Sequence, residues 1–219
     1  MLTPATCPLW EDDSTEHKAP QCVAAARGVW LRACMESKSH TPDCKAFRSW
    51  HEGMFRSVVP LPYYAGNFRQ HDLNRICLGT DVAVGGVGAA SFRRVSQLMA
   101  QLETELHDHL VGIDLSWSQL AGPEKLRRVA TVVGAAIGRF IQIHPFINGN
   151  GRTSRLLWAA LLARMGLPVD MAVVRRPAGP YASAMAAAMT GNLAPAVLMV
   201  FSGIAKMQPP ATPPVRSTP

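Results

Sequence analysis

The sequence predicts an all-α fold, and three observations carry that prediction. Hydrophobic residues make up 48% of the 219 residues while aromatics are only 7%, so Ala, Leu and Val supply the apolar content. That balance favours helices packed on helices over an all-β sandwich. Pro123–Ile143 puts Leu126, Val129, Ala130, Val133, Ile137, Phe140 and Ile141 on one face at the helical period. Leu156–Ala163, LLWAALLA, is apolar all round, which predicts a helix buried on every side. A chain of this length can bury one substantial core.

The elements follow in order. Residues 1–20 are polar and broken by prolines, which predicts an arm rather than core. Helices are expected at 21–36 and 43–57. Thr80–Ser91, TDVAVGGVGAAS, is rich in glycine and has no helical period; it lacks the Lys-Ser/Thr pair of a phosphate-binding P-loop, so a mobile loop or a short β-hairpin is expected. Further helices are expected at 92–110, 123–143, 152–165, 180–190 and 193–206. Pro123 suits a first helical turn and Gly166 stops the buried helix. Gln208–Pro219 holds five prolines in twelve residues and reads as an extended or disordered tail. The division is an unassigned arm and helix over 1–42, a helical domain over 43–206 and a tail over 207–219.

Charge and cysteines narrow the function. The chain has 22 Lys+Arg against 15 Asp+Glu, a formal charge of +7. Such a balance suits nucleic acid, an acidic protein surface or a phosphorylated small molecule. The basic residues are scattered in pairs such as Arg93/Arg94 and Arg127/Arg128, without a basic run or interleaved aromatics, which argues against nucleic acid. Five cysteines, an odd number, lie within the first 77 residues with no Cys-x-x-Cys pair; free thiols are expected rather than a disulfide framework or a zinc ribbon. His107 and His109, two apart on a helix, point to different sides and cannot readily share a metal. No signal-peptide pattern opens the chain and no apolar stretch reaches bilayer length, so a soluble, cytoplasmic protein with no membrane partner is expected.

His144–Arg155, HPFINGNGRTSR, concentrates the chemistry. Pro145 disfavours helical geometry at His144, so the preceding helix should stop there and present the imidazole at its end. Asn148, Gly149, Asn150 and Gly151 are turn formers that fold the backbone tightly before the next helix. The N-terminus of that helix exposes unpaired N–H groups and the positive end of its dipole, an anion site. Arg152 and Arg155, three residues apart, fall on the same side of its first turns. Two cations at a positive helix end cost about 0.3–1 kcal/mol unless an anion compensates them, so the arrangement fits a bound polyphosphate. Phe146 should anchor the loop in the core. Together the residues describe a phosphate cradle with a base beside it.

This run resembles the signature of the Fic family, His-x-Phe-x-(Asp/Glu)-Gly-Asn-Gly-Arg-x-x-Arg. Tyr64-Ala-Gly-Asn-Phe-Arg69 is similar to the family's Trp-Ala-Gly-x-x-Arg segment, and Thr80–Phe92 sits where its flap should be. Pro180–Ala205 resembles its closing helix pair. The resemblance covers roughly residues 43–206 and implies a Fic-like helical bundle with a short β-hairpin flap. It also implies transfer of AMP from ATP to a Tyr, Thr or Ser hydroxyl of a target protein, in a bacterial cytoplasm or by an effector translocated from it. His144 would be the general base. Gly149, Asn150, Gly151, Arg152 and Arg155 would bind the phosphates, with Asn150, Arg152 and Arg155 counted in the catalytic set, and Tyr181 would line the adenine pocket. Val84, Gly85, Gly86 and Val87 of the flap would dock the target segment as an added strand. Family members with Lys at the position of Gly151 phosphorylate their target, so Gly151 implies nucleotide transfer.

Two departures stand out. The family holds Mg²⁺ with an acid at the position of Asn148; an amide oxygen brings no charge, so a weaker site for Mg²⁺, or for Mn²⁺, is expected, and a non-catalytic nucleotide-binding regulator is the alternative function. No inhibitory Ser/Thr-x-x-x-Glu-Gly/Asn segment is found, and no glutamate follows Glu124. The resemblance therefore leaves two expectations open: restraint in trans, by an antitoxin supplying a Glu to Arg155, or unrestrained activity as in some translocated effectors.

Overall fold

The computed structural model describes residues 6–10, 20–169 and 180–207. The expected tail and most of the expected arm lie outside these residues. The order is α1 (Pro20–Glu36), α2 (Cys44–Phe55), two short 3₁₀ turns (Pro62–Tyr64 and Ile76–Leu78), β1 (Ala83–Val84), β2 (Val87–Gly88), α3 (Phe92–Ser116), α4 (Gly122–Ile143), α5 (Asn150–Arg164), α6 (Tyr181–Met189) and α7 (Ala194–Met207). The fold is all-α with one antiparallel hairpin among the described residues.

Helix α4 is the centre of the bundle, packed by α3, α5, α6 and α7, while α1 lies on α2 and α5. Its predicted apolar face is the buried one, with Val129, Ala130, Val133, Ile137, Phe140 and Ile141 all in the core. Helix α5 is buried from Thr153 to Ala163, as an all-round apolar helix must be. It ends where Gly166 takes a left-handed turn (φ 67°), with Leu167 N–H donating to Leu162 O and Gly166 N–H to Ala163 O, satisfying carbonyls the helix leaves open. Helix α3 runs to Ser116, beyond the expected end at 110, because the buried stripe of Leu102, Leu106 and Leu110 continues to Ile113.

Two expectations are corrected. Cys7 and Cys77 form a disulfide, leaving Cys22, Cys34 and Cys44 as free thiols. An odd count and a missing short-spaced pair argue against a framework, but they say nothing about two cysteines 70 positions apart that the fold brings together. The arm is also not wholly off the core: Trp10 is buried, stacked on Tyr64 and edge-on to Phe55. A single indole gives a polar segment enough apolar area to dock. No helix among the described residues is long and apolar enough to cross a membrane.

Candidate active site

The site is built where α4 ends and α5 begins. His144 caps α4 in the left-handed region (φ 53°, ψ 61°), the one non-glycine residue with positive φ among those described. Pro145 bars the right-handed alternative, and a left-handed histidine costs about 1–3 kcal/mol that its surroundings must offset. They do so through hydrogen bonds. The His144 N–H donates to Phe140 O at 3.0 Å. The Arg69 guanidinium, fully buried, donates to His144 O (2.8 Å) and Ile143 O (3.0 Å), and the Arg69 N–H donates to Pro145 O (2.7 Å). His144 Nδ1 lies 3.3 Å from Ile141 O. A carbonyl only accepts, so this contact keeps the proton on Nδ1 and makes Nε2 the basic nitrogen.

The same arginine reaches the hairpin. Its other donors go to Thr80 O (3.2 Å) and Ala90 O (2.8 Å), on the two stems of the flap. Burial lowers the Arg69 pKa to about 10, and Asp81 at 3.9 Å opposes that shift. Asp81 also accepts the Phe92 N–H at the head of α3 (2.8 Å). Val84, Gly85, Gly86 and Val87 make the tip, with Val84 paired to Val87 and both glycines at positive φ, the two-residue turn that matches strand twist. Val84 is exposed, while Val87 leans on the core.

Between His144 and α5 the loop is internally tied. Phe146 is fully buried and stacks on the His51 ring at 3.7 Å, as expected of the anchor. The Asn150 side chain accepts the Phe146 N–H and donates to Phe146 O, both at 2.9 Å. Both ends of its amide therefore shape the loop, and what Asn150 offers a phosphate in this conformation is its backbone N–H at the start of α5. Gly149 (φ 77°) admits no side chain: a Cβ there would lie 2.5 Å from Phe55 and 3.0 Å from His51. The first N–H groups of α5, where the anion site is expected, have no carbonyl behind them within the helix.

Arg155 is 7% exposed and lies over the Tyr181 ring at 5.2 Å. The Tyr181 hydroxyl contacts Ser154 Oγ (3.1 Å) and donates to Gly151 O (3.2 Å), so this tyrosine is buried against the motif helix and braces Arg155. Arg152 leans on the other wall, over Phe55 at 5.7 Å and 3.6 Å from Cys22 Sγ. Burial pushes the Cys22 thiol pKa up, against the pull of Arg152.

The Asn148 side chain turns to the protein. Its Oδ1 accepts the Gly149 N–H, its Nδ2 donates to Trp10 O, and its carbonyl accepts His51 Nε2–H at 2.9 Å. Among the described residues no three of His, Cys, Asp and Glu gather to hold a metal ion. The residues at 148 do not fit a resident divalent cation in this arrangement. His51 was not legible as a site residue; its Nδ1 accepts the Gly66 N–H (3.0 Å), which forces the Nε2 proton toward Asn148.

The Fic/DOC family model matches residues 42–162, more than half of the chain. Residues of the chain are 39% identical over 62 positions to a protein adenylyltransferase Fic of Drosophila grimshawi, covering 28% of this chain and 13% of that protein. The chain thus spans about an eighth of the length of the curated relatives it matches. Fic-1 from C. elegans superposes with a TM-score of 0.60 at 17% identity, over 91% of this chain and 53% of that one. BepC, a VirB-translocated effector of Bartonella tribocorum solved with bound AMPPNP, superposes at 0.52 with 18% identity, over 85% and 88% of the two chains. These likenesses show a common fold, and the matched model spans the motif, the flap and the helices that hold them: this chain belongs to the Fic/DOC family.

Proposed function

We propose that this chain is a protein adenylyltransferase that moves AMP from ATP to a Tyr, Thr or Ser hydroxyl of a target protein. The observation that carries it is the left-handed turn at His144, which keeps the proton on Nδ1 and so makes Nε2 an acceptor, beside a helix N-terminus bearing Arg152 and Arg155. The target oxygen attacks the α-phosphorus while Nε2 takes its proton; a P–O bond forms to the target as the bond to pyrophosphate breaks. A base so oriented is worth about 10²–10⁴-fold. The α5 N–H groups and the two guanidiniums bind the phosphates and stabilise the departing pyrophosphate. The Val84–Val87 hairpin tip pairs with the target segment. Asn148 offers Mg²⁺ or Mn²⁺ no carboxylate, and its side-chain oxygen already accepts the Gly149 N–H.

Gly151 supports nucleotide transfer over phosphorylation through the resemblance alone, since family members that phosphorylate carry Lys there; among the described residues a Cβ at Gly151 would meet Arg155 Nη1 at 3.5 Å and Tyr181 Oη at 3.9 Å, ordinary contacts. Restraint by an antitoxin Glu on Arg155 and delivery as a translocated effector belong to the same proposal. The second function, a nucleotide-binding regulator without catalysis, draws on the committed amide of Asn148.

The test is transfer of α-labelled ATP to lysate proteins in Mg²⁺ and in Mn²⁺, natural protein against His144→Ala. Label lost with His144→Ala supports the transferase. Nucleotide binding with no label under either metal favours the regulator.

A further inference from the structure

Asn148 stands where the family motif carries an acid, and its environment explains why an amide is there. Oδ1 accepts the Gly149 N–H and Nδ2 donates to the main-chain oxygen of Trp10, a pair of contacts that fixes which end of the amide is which. Aspartate could keep the first contact but not the second. A carboxylate only accepts, so it would face the Trp10 carbonyl oxygen to oxygen.

The segment held this way is otherwise seated on the site's own scaffold. The Trp10 ring meets His51 at 5.8 Å and Phe55 at 5.3 Å, and His51 in turn donates to Asn148 O. The Tyr64 hydroxyl donates to Pro8 O at 3.1 Å, and Cys7 is bonded to Cys77. Residues 6–10 therefore run past the motif loop, tied by a disulfide, a phenol and a buried indole, with Asn148 as the tie that belongs to the motif itself.

We propose that Asn148 is the anchor of the N-terminal segment rather than a metal ligand, so that docking of Trp10 and an acidic metal ligand at position 148 exclude each other. The metal half rests on the motif being the phosphate-transfer site proposed above; the anchoring half does not. Asn148 holds residues 6–10 against the loop, and the loop in turn loses the side-chain oxygen a cation would need.

The experiment is amide hydrogen exchange across residues 6–10 in the natural protein, Asn148→Asp and Asn148→Ala, with exchange in α4 and α5 as the measure of an intact fold. It uses no nucleotide or metal. Both variants remove the donor to Trp10 O, and both are expected to speed exchange about tenfold, the factor set by one lost hydrogen bond. In parallel, Mn²⁺ is titrated in the presence of a non-hydrolysable ATP analogue and free Mn²⁺ is read by electron paramagnetic resonance. Asn148→Asp is expected to bind Mn²⁺ at least about tenfold more tightly, as a gained carboxylate ligand should, and Asn148→Ala not to. Unchanged exchange in both variants overturns the anchor. Faster exchange in Asn148→Asp alone overturns it too, because charge and not the lost donor would then release the segment. Tighter Mn²⁺ binding with residues 6–10 still protected overturns the exclusion. Failure of every Mn²⁺ arm with exchange as expected would count against the proposed transferase and leave the anchor standing.

Discussion

At the scale of single residues, Arg69 connects the two parts of the proposed reaction. Its guanidinium bridges the stems of the flap, through Thr80 O and Ala90 O, to the carbonyls of Ile143 and His144. One planar group with five donors thus sets the spacing between the hairpin and His144, the two elements to which the proposal gives target docking and proton transfer. Arg69→Met would strip the donor from four carbonyls, the Ile143 bond buried and the other three partly so, at about 1–3 kcal/mol for each that stays buried. A stability loss of about 3 kcal/mol or more is expected in urea denaturation, with Arg69→Lys recovering only part because an ammonium lacks the fork. The Tyr64–Arg69 resemblance pointed to this residue, but nothing in its sequence neighbourhood showed that it turns inward to collect carbonyls from two distant segments. His51 was hidden for the same reason: its two hydrogen bonds go to Gly66 and Asn148, and only the folded chain brings them together.

At the scale of elements, the helices were legible because each buries an apolar stripe, and period alone locates a stripe. What period cannot give is how closely two helices approach. Gly134 lies on α4 where a Cβ would fall 2.5 Å from the Val197 Cα of α7, and one at Gly138 would fall 2.9 Å from Leu193. The two glycines, one turn apart, let the α7 backbone settle against α4 at Gly134 and the Leu193 side chain at Gly138. Gly134→Ala should therefore destabilise the protein by about 1–3 kcal/mol despite the better helix propensity of alanine, because backbone must move. Chemical denaturation measures this directly, and a neutral or stabilising result would contradict the contact. The arm offers a second case. Burial pushes the Tyr64 phenol pKa up to about 12, and its proton is the one donated to Pro8 O. A folded pKa raised above the unfolded value of about 10 contributes stability that is complete below about pH 10 and lost as pH rises through about 12. The stability difference between the natural protein and Tyr64→Phe should accordingly shrink between about pH 9 and pH 12, which paired denaturation curves would show.

At the scale of the whole molecule, the proposed cradle and the proposed base are separable, because His144 ends α4 while Arg152 and Arg155 lie on α5. On the proposed function, nucleotide binding falls to the start of α5 and to Arg155, which lies over the Tyr181 ring, while the proposed proton acceptor ends α4. A ligand that binds only the folded state raises its stability by RT ln(1 + [L]/Kd), about 2.7 kcal/mol at a hundredfold excess over Kd. ATP should therefore raise the melting temperature of the natural protein in proportion to the logarithm of its concentration. Arg155→Ala removes a cation proposed to bind the phosphates and should flatten that dependence, by an amount in keeping with the about 1.5–3 kcal/mol of a charge-assisted hydrogen bond. His144→Ala leaves the cradle intact and should keep the shift while abolishing transfer of label. Loss of the ATP shift in His144→Ala would mean that the imidazole belongs to the binding site rather than to proton transfer, and persistence of the full shift in Arg155→Ala would place the phosphates elsewhere than on α5.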